Sequence, residues 1–237
     1  MSQGQTLIRY APTRRNDTAA IEVFRCLPIY QTAEGDEFGI DVLLGHKDNI
    51  ENTAQRNAAI LRLAFNALER AHAQGHYVNL ILPVNSIALA SREGATIIHD
   101  VFGELDKACR SATIIEIFNL PERVSIDSLS DITIPMLPYT DRFIAHPHAA
   151  MEDLTVFANC NYQGVVFNME TAPDDPQQKL DALTDFWGAA TKRRLGLCVQ
   201  GAAEPEIVSA AQRWEAMFID GPSIGAPVDR PGPATTN

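Results

Sequence analysis

Near its carboxyl end the sequence reads Val199-Gln-Gly-Ala-Ala-Glu-Pro-Glu206 and, further on, Phe218-Ile-Asp-Gly-Pro-Ser-Ile-Gly-Ala-Pro227. An apolar run precedes the first segment and another opens the second, so each segment contains the end of a predicted strand. Helical periodicity over Glu204–Trp214 predicts a helix that joins the two strands. A strand, a helix and a second strand in this order are typical of a parallel βαβ unit.

The same alternation of strands and helices continues towards the amino end. Longer helices are predicted at Ile50–Ala73 and Pro176–Lys192, where apolar residues recur at helical spacing. Several predicted strands are continuous aliphatic runs, which are typical of strands buried on both faces of a parallel sheet. The eight predicted strands are Glu22–Tyr30, Phe38–Leu44, Val78–Val84, Thr113–Phe118, Arg142–Ala145, Gly164–Asn168, Leu195–Val199 and Met217–Ile219. Eight strands interleaved with helices predict an α/β fold of the (β/α)8 barrel type, rather than an open doubly wound sheet.

Polar segments flank this pattern at both ends. We predict a polar N-terminal arm over residues 1–20, one barrel domain over residues 21–228 and a flexible C-terminal tail over residues 229–237. A chain of 237 residues is long enough to bury one large core without disulfides or metals as staples.

Composition and charge exclude several classes of function. The net charge of −11 is the wrong sign for a generic nucleic-acid or anionic-membrane surface, because phosphate binding needs clustered Lys and Arg. The sequence has no apolar run of membrane-spanning length, so no membrane insertion is expected. The four cysteines form no CxxC pair, which favours reduced thiols and a cytoplasmic location.

Several short segments, in order along the chain, resemble EAL domains, the family of cyclic di-GMP phosphodiesterases. The closing segment resembles the family pattern AEGVETxE, a helix and a YxQGYLFGxP-like turn. Its matching residues are Gly201, Gly221, Gly225 and Pro227. Further upstream, the segments that resemble family strands are Leu27–Tyr30, Gly39–Leu44, Leu82–Ser86 and Ile114–Ile117. The resemblance covers about Val23 to Pro227, and it implies the same eight-stranded barrel.

The resemblance also implies a chemistry, the hydrolysis of one phosphodiester bond of cyclic di-GMP with two divalent metals. Such a site needs several convergent carboxylates to hold the metals, and a group that helps to deprotonate the attacking water. In a barrel these groups come from the carboxyl ends of different strands. The positions that correspond to the family site, here a vestigial pocket, are Asp41, Asn85, Glu116, His146, Asn168, Gln200 and Asp220.

Few of these positions keep the residue that the family chemistry uses. Asn85 and Glu116 match directly, and Asp41 stands in place of the signature Glu with a shorter side chain. The family's catalytic lysine corresponds to Val166, and the arginine after its signature motif corresponds to Gly45. An amide in place of a carboxylate keeps the shape but loses a full charge, and a valine can neither donate nor accept a proton.

The adjacent acidic pair of the family corresponds to Ala145-His146-Pro147-His148. Neutral imidazoles ligate metals well, but a packed or hydrogen-bonded loop histidine is the simpler interpretation here.

We therefore expect no catalytic residue and no resident metal or cofactor. The leading hypothesis is a catalytically inactive EAL-like regulatory domain that acts through protein–protein interaction in bacterial signalling of the motility or biofilm type. Its partner would be an unidentified regulatory protein, and a homodimer is one arrangement that the family suggests. Two alternatives stay open: a non-hydrolytic cyclic di-GMP receptor, and a phosphodiesterase with altered metal chemistry. Residual binding of Mg²⁺ or cyclic di-GMP would belong to these alternatives.

Overall fold

Strands from both halves of the chain close into a barrel in a computed structural model. The structure describes residues 4–16, 18, 21–43, 50–149 and 151–232, with only the backbone given for Asp41 and Val42. Within these residues the strands are β1 (Gln5–Arg15), β2 (Val23–Gln31), β3 (Glu37–Phe38), β4 (Asn79–Asn85), β5 (Thr113–Phe118), β6 (Phe143–Ala145), β7 (Gly164–Asn168), β8 (Gly196–Gln200) and β9 (Phe218–Asp220).

The helices mostly follow the strands of the barrel. They are α1 (Ile40–Leu43), α2 (Ile50–Ala73), α3 (Ser86–Leu89), α4 (Arg92–Glu104), α5 (Lys107–Arg110), α6 (Ile126–Thr133), α7 (Thr155–Asn159), α8 (Pro176–Lys192) and α9 (Pro205–Arg213). Two short 3-10 helices span Ile134–Met136 and Met169–Thr171. None of the helices in the described ranges is long and apolar enough to cross a membrane.

The barrel has seven parallel strands and one reversed strand. Strands β2 and β4 to β9 are parallel and lie in chain order, while β1 runs antiparallel between β9 and β2. The seam on one side pairs Thr13 with Asp220, and on the other side Thr13 with Val23. β3 adds two residues antiparallel to the end of β2. The predicted (β/α)8 barrel is therefore confirmed, with its first strand reversed.

Two sequence predictions at the amino end are wrong. Residues 5–15 of the predicted polar arm form β1, in which Ile8 and residues 10–13 are buried and the three arginines are half-buried. The many polar residues and Pro12 concealed the strand, since proline is usually confined to edge or bulge positions in sheets. Over its described residues, 38–43, the predicted strand Phe38–Leu44 is instead the end of β3 followed by α1. The count of eight strands holds because β1 takes the place of this segment.

The last residue of the predicted barrel domain and the first residue of the predicted tail both contact β1. Tyr10 and Val228 exchange backbone hydrogen bonds of 2.8 and 2.9 Å, and Asp229 forms an ion pair with Arg9. Residues 233–237 lie outside the described part of the chain.

A layer of apolar side chains fills the inside of the barrel. Each of the seven parallel strands contributes one residue, as expected when inward-facing positions of a barrel stack in layers. These residues, here the apolar layer, are Val23, Ile81, Ile114, Ile144, Val166, Cys198 and Phe218. All of them are buried.

The helices cover the outside of the barrel. α2 has the predicted bounds and buries the face that includes Ile60, Leu61 and Leu68. α8 also has its predicted bounds, with Asp175 as N-cap and a proline in the first turn. Outer helices that bury one apolar face against the sheet hold the strand ends in place.

Candidate functional site

A second layer of inward-facing residues, mostly polar, lies directly above the apolar layer, at the carboxyl ends of the parallel strands. Side chains alternate along a strand, so the residue two positions after each apolar-layer residue points into the barrel as well. These residues, here the polar layer, are Arg25, Pro83, Glu116, His146, Asn168, Gln200 and Asp220. Six of them line a cavity of about 360 Å³, and Asp220 lies beside it, bonded to Arg25.

The strongest contact in the polar layer joins Arg25 to Asp220. The guanidinium donates two hydrogen bonds to the carboxylate, Nε to Oδ2 at 2.7 Å and Nη2 to Oδ1 at 2.8 Å. The Arg25 side chain is 19% exposed and that of Asp220 only 3%. Asp220 Oδ1 also accepts a hydrogen bond of 3.2 Å from the backbone N–H of Gly201. The pair is a bidentate, charge-assisted contact that connects β2 to β9 across the reversed strand.

The surroundings of Arg25 keep it charged. Burial alone would lower its pKa, but the charge and the hydrogen bonds of Asp220 outweigh burial, and the charges of Glu116 and Glu170 add to them. The pKa of Arg25 therefore lies above its ordinary value. A positive charge is permanently present at the centre of this end of the barrel.

Glu116 is the second buried carboxylate of the polar layer. Gln200 Nε2 donates a hydrogen bond of 2.8 Å to its Oε2, and the Nδ1 atom of His146 lies 3.6 Å from its Oε1. Burial would raise the pKa of Glu116, but the His146 imidazole and the Arg25 guanidinium, together with the Gln200 amide, hold it below its ordinary value. Glu116 is therefore an anion whose charge is balanced from within the protein.

The two asparagines of the predicted pocket serve as helix caps. Asn85 is the N-cap of α3, and its Oδ1 accepts a hydrogen bond of 2.9 Å from the backbone N–H of Ile87. Asn168 caps the 3-10 helix that follows β7, accepting a hydrogen bond of 3.0 Å from the backbone N–H of Glu170. Asn168 lines the cavity, whereas Asn85 lies further along its strand, at the start of α3.

The structure therefore brings together five of the seven predicted pocket positions. They are the members of the polar layer that the sequence analysis named: Glu116, His146, Asn168, Gln200 and Asp220. Asp41 lies in α1 instead of a strand, and its side chain is outside the described part of the structure, as is the whole of Gly45. His148 lines a neighbouring groove instead of this cavity.

The family's lysine position is apolar in three dimensions as well as in sequence. Val166 belongs to the apolar layer, is 2% exposed and packs among Ile144 and Cys198. Asn168 is the next inward-facing residue above it on the same strand. The side chain beneath the cavity on β7 thus offers no group that could move a proton.

Sequence reasoning missed Arg25, the central residue of the site. The signal was present, because Arg25 is a single charge inside the apolar run Val23-Phe-Arg-Cys-Leu-Pro-Ile-Tyr30. Alternation places it on the same face of the strand as Val23 and Leu27. A lone cation on the inward face of a predicted barrel strand indicates a buried acidic partner, although the sequence does not say which carboxylate that partner is.

Comparisons with known proteins bear on the fold. No family model matches the chain, and no match was found among curated proteins. Solved structures do match. An EAL domain protein from Listeria monocytogenes is 15% identical with a TM-score of 0.68, over 94% of this chain and 89% of that one. The PaMucR phosphodiesterase in complex with c-di-GMP is 10% identical with a TM-score of 0.74, over 97% and 98% of the two chains.

The fold is that of EAL domains. A longer chain with an EAL domain, Bacillus subtilis YkuI in complex with c-di-GMP and calcium, matches 94% of this chain at 12% identity and a TM-score of 0.73. The present chain spans 55% of that protein.

The described residues of this EAL fold do not fit a two-metal site. Among them, no group of three or more His, Cys, Asp or Glu side chains is arranged to hold a metal ion. Asp220 is already bonded to a guanidinium, and Glu116 to an amide. Hard divalent cations are held by several oxygen ligands whose negative charge is free to face the metal. Among the described residues, the charge of Asp220 faces Arg25 and that of Glu116 faces the Gln200 amide.

Proposed function

We propose that this chain is a catalytically inactive EAL-like domain that acts in bacterial signalling by binding another protein. The observation that carries the proposal is the pairing inside the polar layer. Asp220 forms a bidentate ion pair with Arg25, and Glu116 accepts a hydrogen bond from Gln200. The two buried carboxylates of the polar layer are thus satisfied by the protein itself.

The groups available to deprotonate a water molecule also support the proposal, because neither of the two candidate positions can act as the base. A general base must lie within hydrogen-bonding distance of the water that it deprotonates. Val166 stands where the resemblance places a lysine, and Glu116 is already held by Gln200 and close to His146. Hydrolysis of a phosphodiester would have neither its metals nor its usual proton-transfer group.

The proposal places the function on the outer surface of an intact barrel. The strands and their covering helices remain closely packed, so the domain can present fixed surfaces to a partner even though its inner site is changed. The net charge of −11 favours a partner with a basic surface. We further propose that the chain works in the cytoplasm, on its own or as a homodimer.

Calorimetry with cyclic di-GMP tests the proposal. The purified protein is titrated in Mg²⁺ and again in Ca²⁺, and the recovered nucleotide is examined for cleavage. We expect no saturable heat at high micromolar nucleotide and no cleaved product. Saturable binding with intact nucleotide would support a non-hydrolytic receptor instead, and cleavage would overturn the proposal that the domain is inactive.

Partner binding is tested with variants of the inner site. A protein captured by the purified domain should form a stoichiometric complex when both are re-purified, and the complex should persist without nucleotide. The variant Gln200→Ala, which removes the amide bonded to Glu116, should leave this complex unchanged because the proposed binding surface lies outside the barrel. Loss of the complex in Gln200→Ala would instead place partner recognition at the cavity.

A further inference from the structure

The polar layer contains one guanidinium, which contacts one carboxylate and shares its cavity with two others. Arg25 bonds directly to Asp220, and it also lines the same cavity as Glu116 and Glu170. The negative charges of all three carboxylates favour the charged form of Arg25. Asp220 and Glu116 are both buried at this end of the barrel, where like charges repel one another unless a cation lies among them.

We propose that Arg25 is a built-in counter-cation that does for this barrel what bound metal ions would otherwise do, namely hold together the carboxylates at the ends of its strands. A corollary is that removal of the guanidinium leaves a place that a divalent cation can take. This inference rests on the proposed function in one respect, since both concern carboxylates already neutralised by the protein.

The position of the Arg25–Asp220 ion pair makes the Arg25 charge important for the stability of the barrel. The Arg25–Asp220 contact joins β2 to β9, the two strands that flank the reversed strand β1. Asp220 is 3% exposed, so solvent gives little compensation if its partner is removed. Truncating one member of a buried ion pair is strongly destabilising, because the other charge is left buried and unpaired.

The chain offers a matched control at its surface. Arg62 also makes a bidentate contact with a carboxylate, donating to Glu104 at 2.9 and 2.8 Å. Those side chains are 47% and 52% exposed, however, and exposed pairs contribute little to stability. The two arginines therefore share a geometry and differ in burial.

The first measurement compares thermal unfolding of Arg25→Met and Arg62→Met at neutral pH and low salt. We expect Arg25→Met to lower the Tm by about 10 °C, and Arg62→Met by about 2 °C or less. The double variant Arg25→Met/Asp220→Asn, in which the orphaned charge is removed as well, should regain more than half of the loss. Equal effects of the two single variants, or no recovery in the double variant, would overturn the inference.

The second measurement adds Mn²⁺, Mg²⁺ or Ca²⁺ to the same proteins. At tenfold excess over its dissociation constant, a bound ion should raise the Tm of Arg25→Met by about 4 °C. The wild type, Arg62→Met and the double variant should not respond. A response of the wild type equal to that of Arg25→Met, or none in Arg25→Met, would overturn the inference. If Arg25→Met does not fold without added ions, its folding on their addition supports the inference, and a failure to fold in their presence contradicts it.

The outcomes separate the inference from the proposed function. Nucleotide binding by the wild type would contradict the proposed function, but it would leave the stability pattern of the Arg25 variants unchanged. Conversely, an Arg25→Met protein that is as stable as wild type would contradict the inference, while the missing lysine at Val166 would still argue against hydrolysis.

Discussion

The side chain of Asn57 connects the longest helix to the end of strand β4, and its removal should measurably weaken the barrel. Asn57 is fully buried in α2. Its Nδ2 donates a hydrogen bond of 3.0 Å to the carbonyl oxygen of Pro83, and its Oδ1 accepts one of 2.8 Å from the backbone N–H of Asn85. These contacts hold the end of the strand, where Pro83 belongs to the polar layer and Asn85 precedes α3.

The substitution Asn57→Ala would leave two buried backbone groups without their partner. An unsatisfied buried polar group costs about 1–3 kcal/mol, so we expect the free energy of unfolding to fall by about 3 kcal/mol. For a chain of this size that corresponds to a Tm lower by about 6–12 °C. Alanine has the higher helix propensity, which offsets only about 0.5 kcal/mol of the loss.

Urea unfolding followed by circular dichroism measures this change, provided that the m-value is the same in wild type and variant. Asn66→Ala is the matched control, since Asn66 lies in the same helix and is exposed. Its free energy of unfolding should stay within about 0.5 kcal/mol of wild type. If Asn57→Ala and Asn66→Ala were equally stable, the connection that we describe between α2 and β4 would not contribute to stability.

Three further predictions concern pH and backbone conformation. The fold lowers the pKa of Glu116, so its contribution to stability is present above about pH 4.3 and is lost as the pH falls through the folded pKa. Between pH 6 and 3, the urea midpoint of Glu116→Gln should therefore fall less steeply than that of wild type. Burial raises the pKa of Tyr162 to about 12. Up to about 3 kcal/mol of its contribution to the free energy of unfolding is therefore lost as the pH rises from about 10 towards 12. In the same urea assay, Tyr162→Phe should lose less stability than wild type over this alkaline range. Gly221→Ala should lower the free energy of unfolding by about 2 kcal/mol or more, because at φ +133° the new Cβ would lie 2.2 Å from the backbone nitrogen of Ala202. Gly188→Ala is the control, since no described atom lies within 4 Å of its new Cβ, and it should raise the free energy of unfolding by about 0.5–1 kcal/mol. Parallel acid and alkaline curves for wild type and variant, or similar thermal shifts in the two glycine variants, would contradict these expectations.

The middle of the fold was predictable because its strands and helices have clear periodicity. The bounds of α2 and α8 match the sequence prediction, and the parallel strands lie close to the predicted runs. Strand β1 escaped prediction because it buries only part of its side chains and carries three arginines and a proline. One of its two neighbouring strands, β9, is also distant in sequence, so no local pattern indicates that β1 closes the barrel.

The candidate site was predictable in part for a similar reason. The positions at strand ends could be found by their order along the chain, and five of them meet in the polar layer. The sequence did not reveal which polar side chains form hydrogen bonds and ion pairs with each other. Arg25 and Asp220 are far apart in the chain, and their pairing depends on the register of β2 and β9 around the closed barrel. A one-residue change of register would point every side chain of a strand to the opposite face.

The reversed strand β1 has a consequence for synthesis on the ribosome. Thr13 leaves the exit tunnel before the other barrel strands, yet its partner Asp220 is translated only after them. Until then β1 can pair with β2, and each parallel strand can pair with the one before it. The edge of β8 that will pair with β9 stays exposed. Exposed edges of this kind are places where strands of other chains can add. Translation that stalls before β9 would therefore leave an open sheet, and the yield of native protein should depend on how quickly that last strand is delivered.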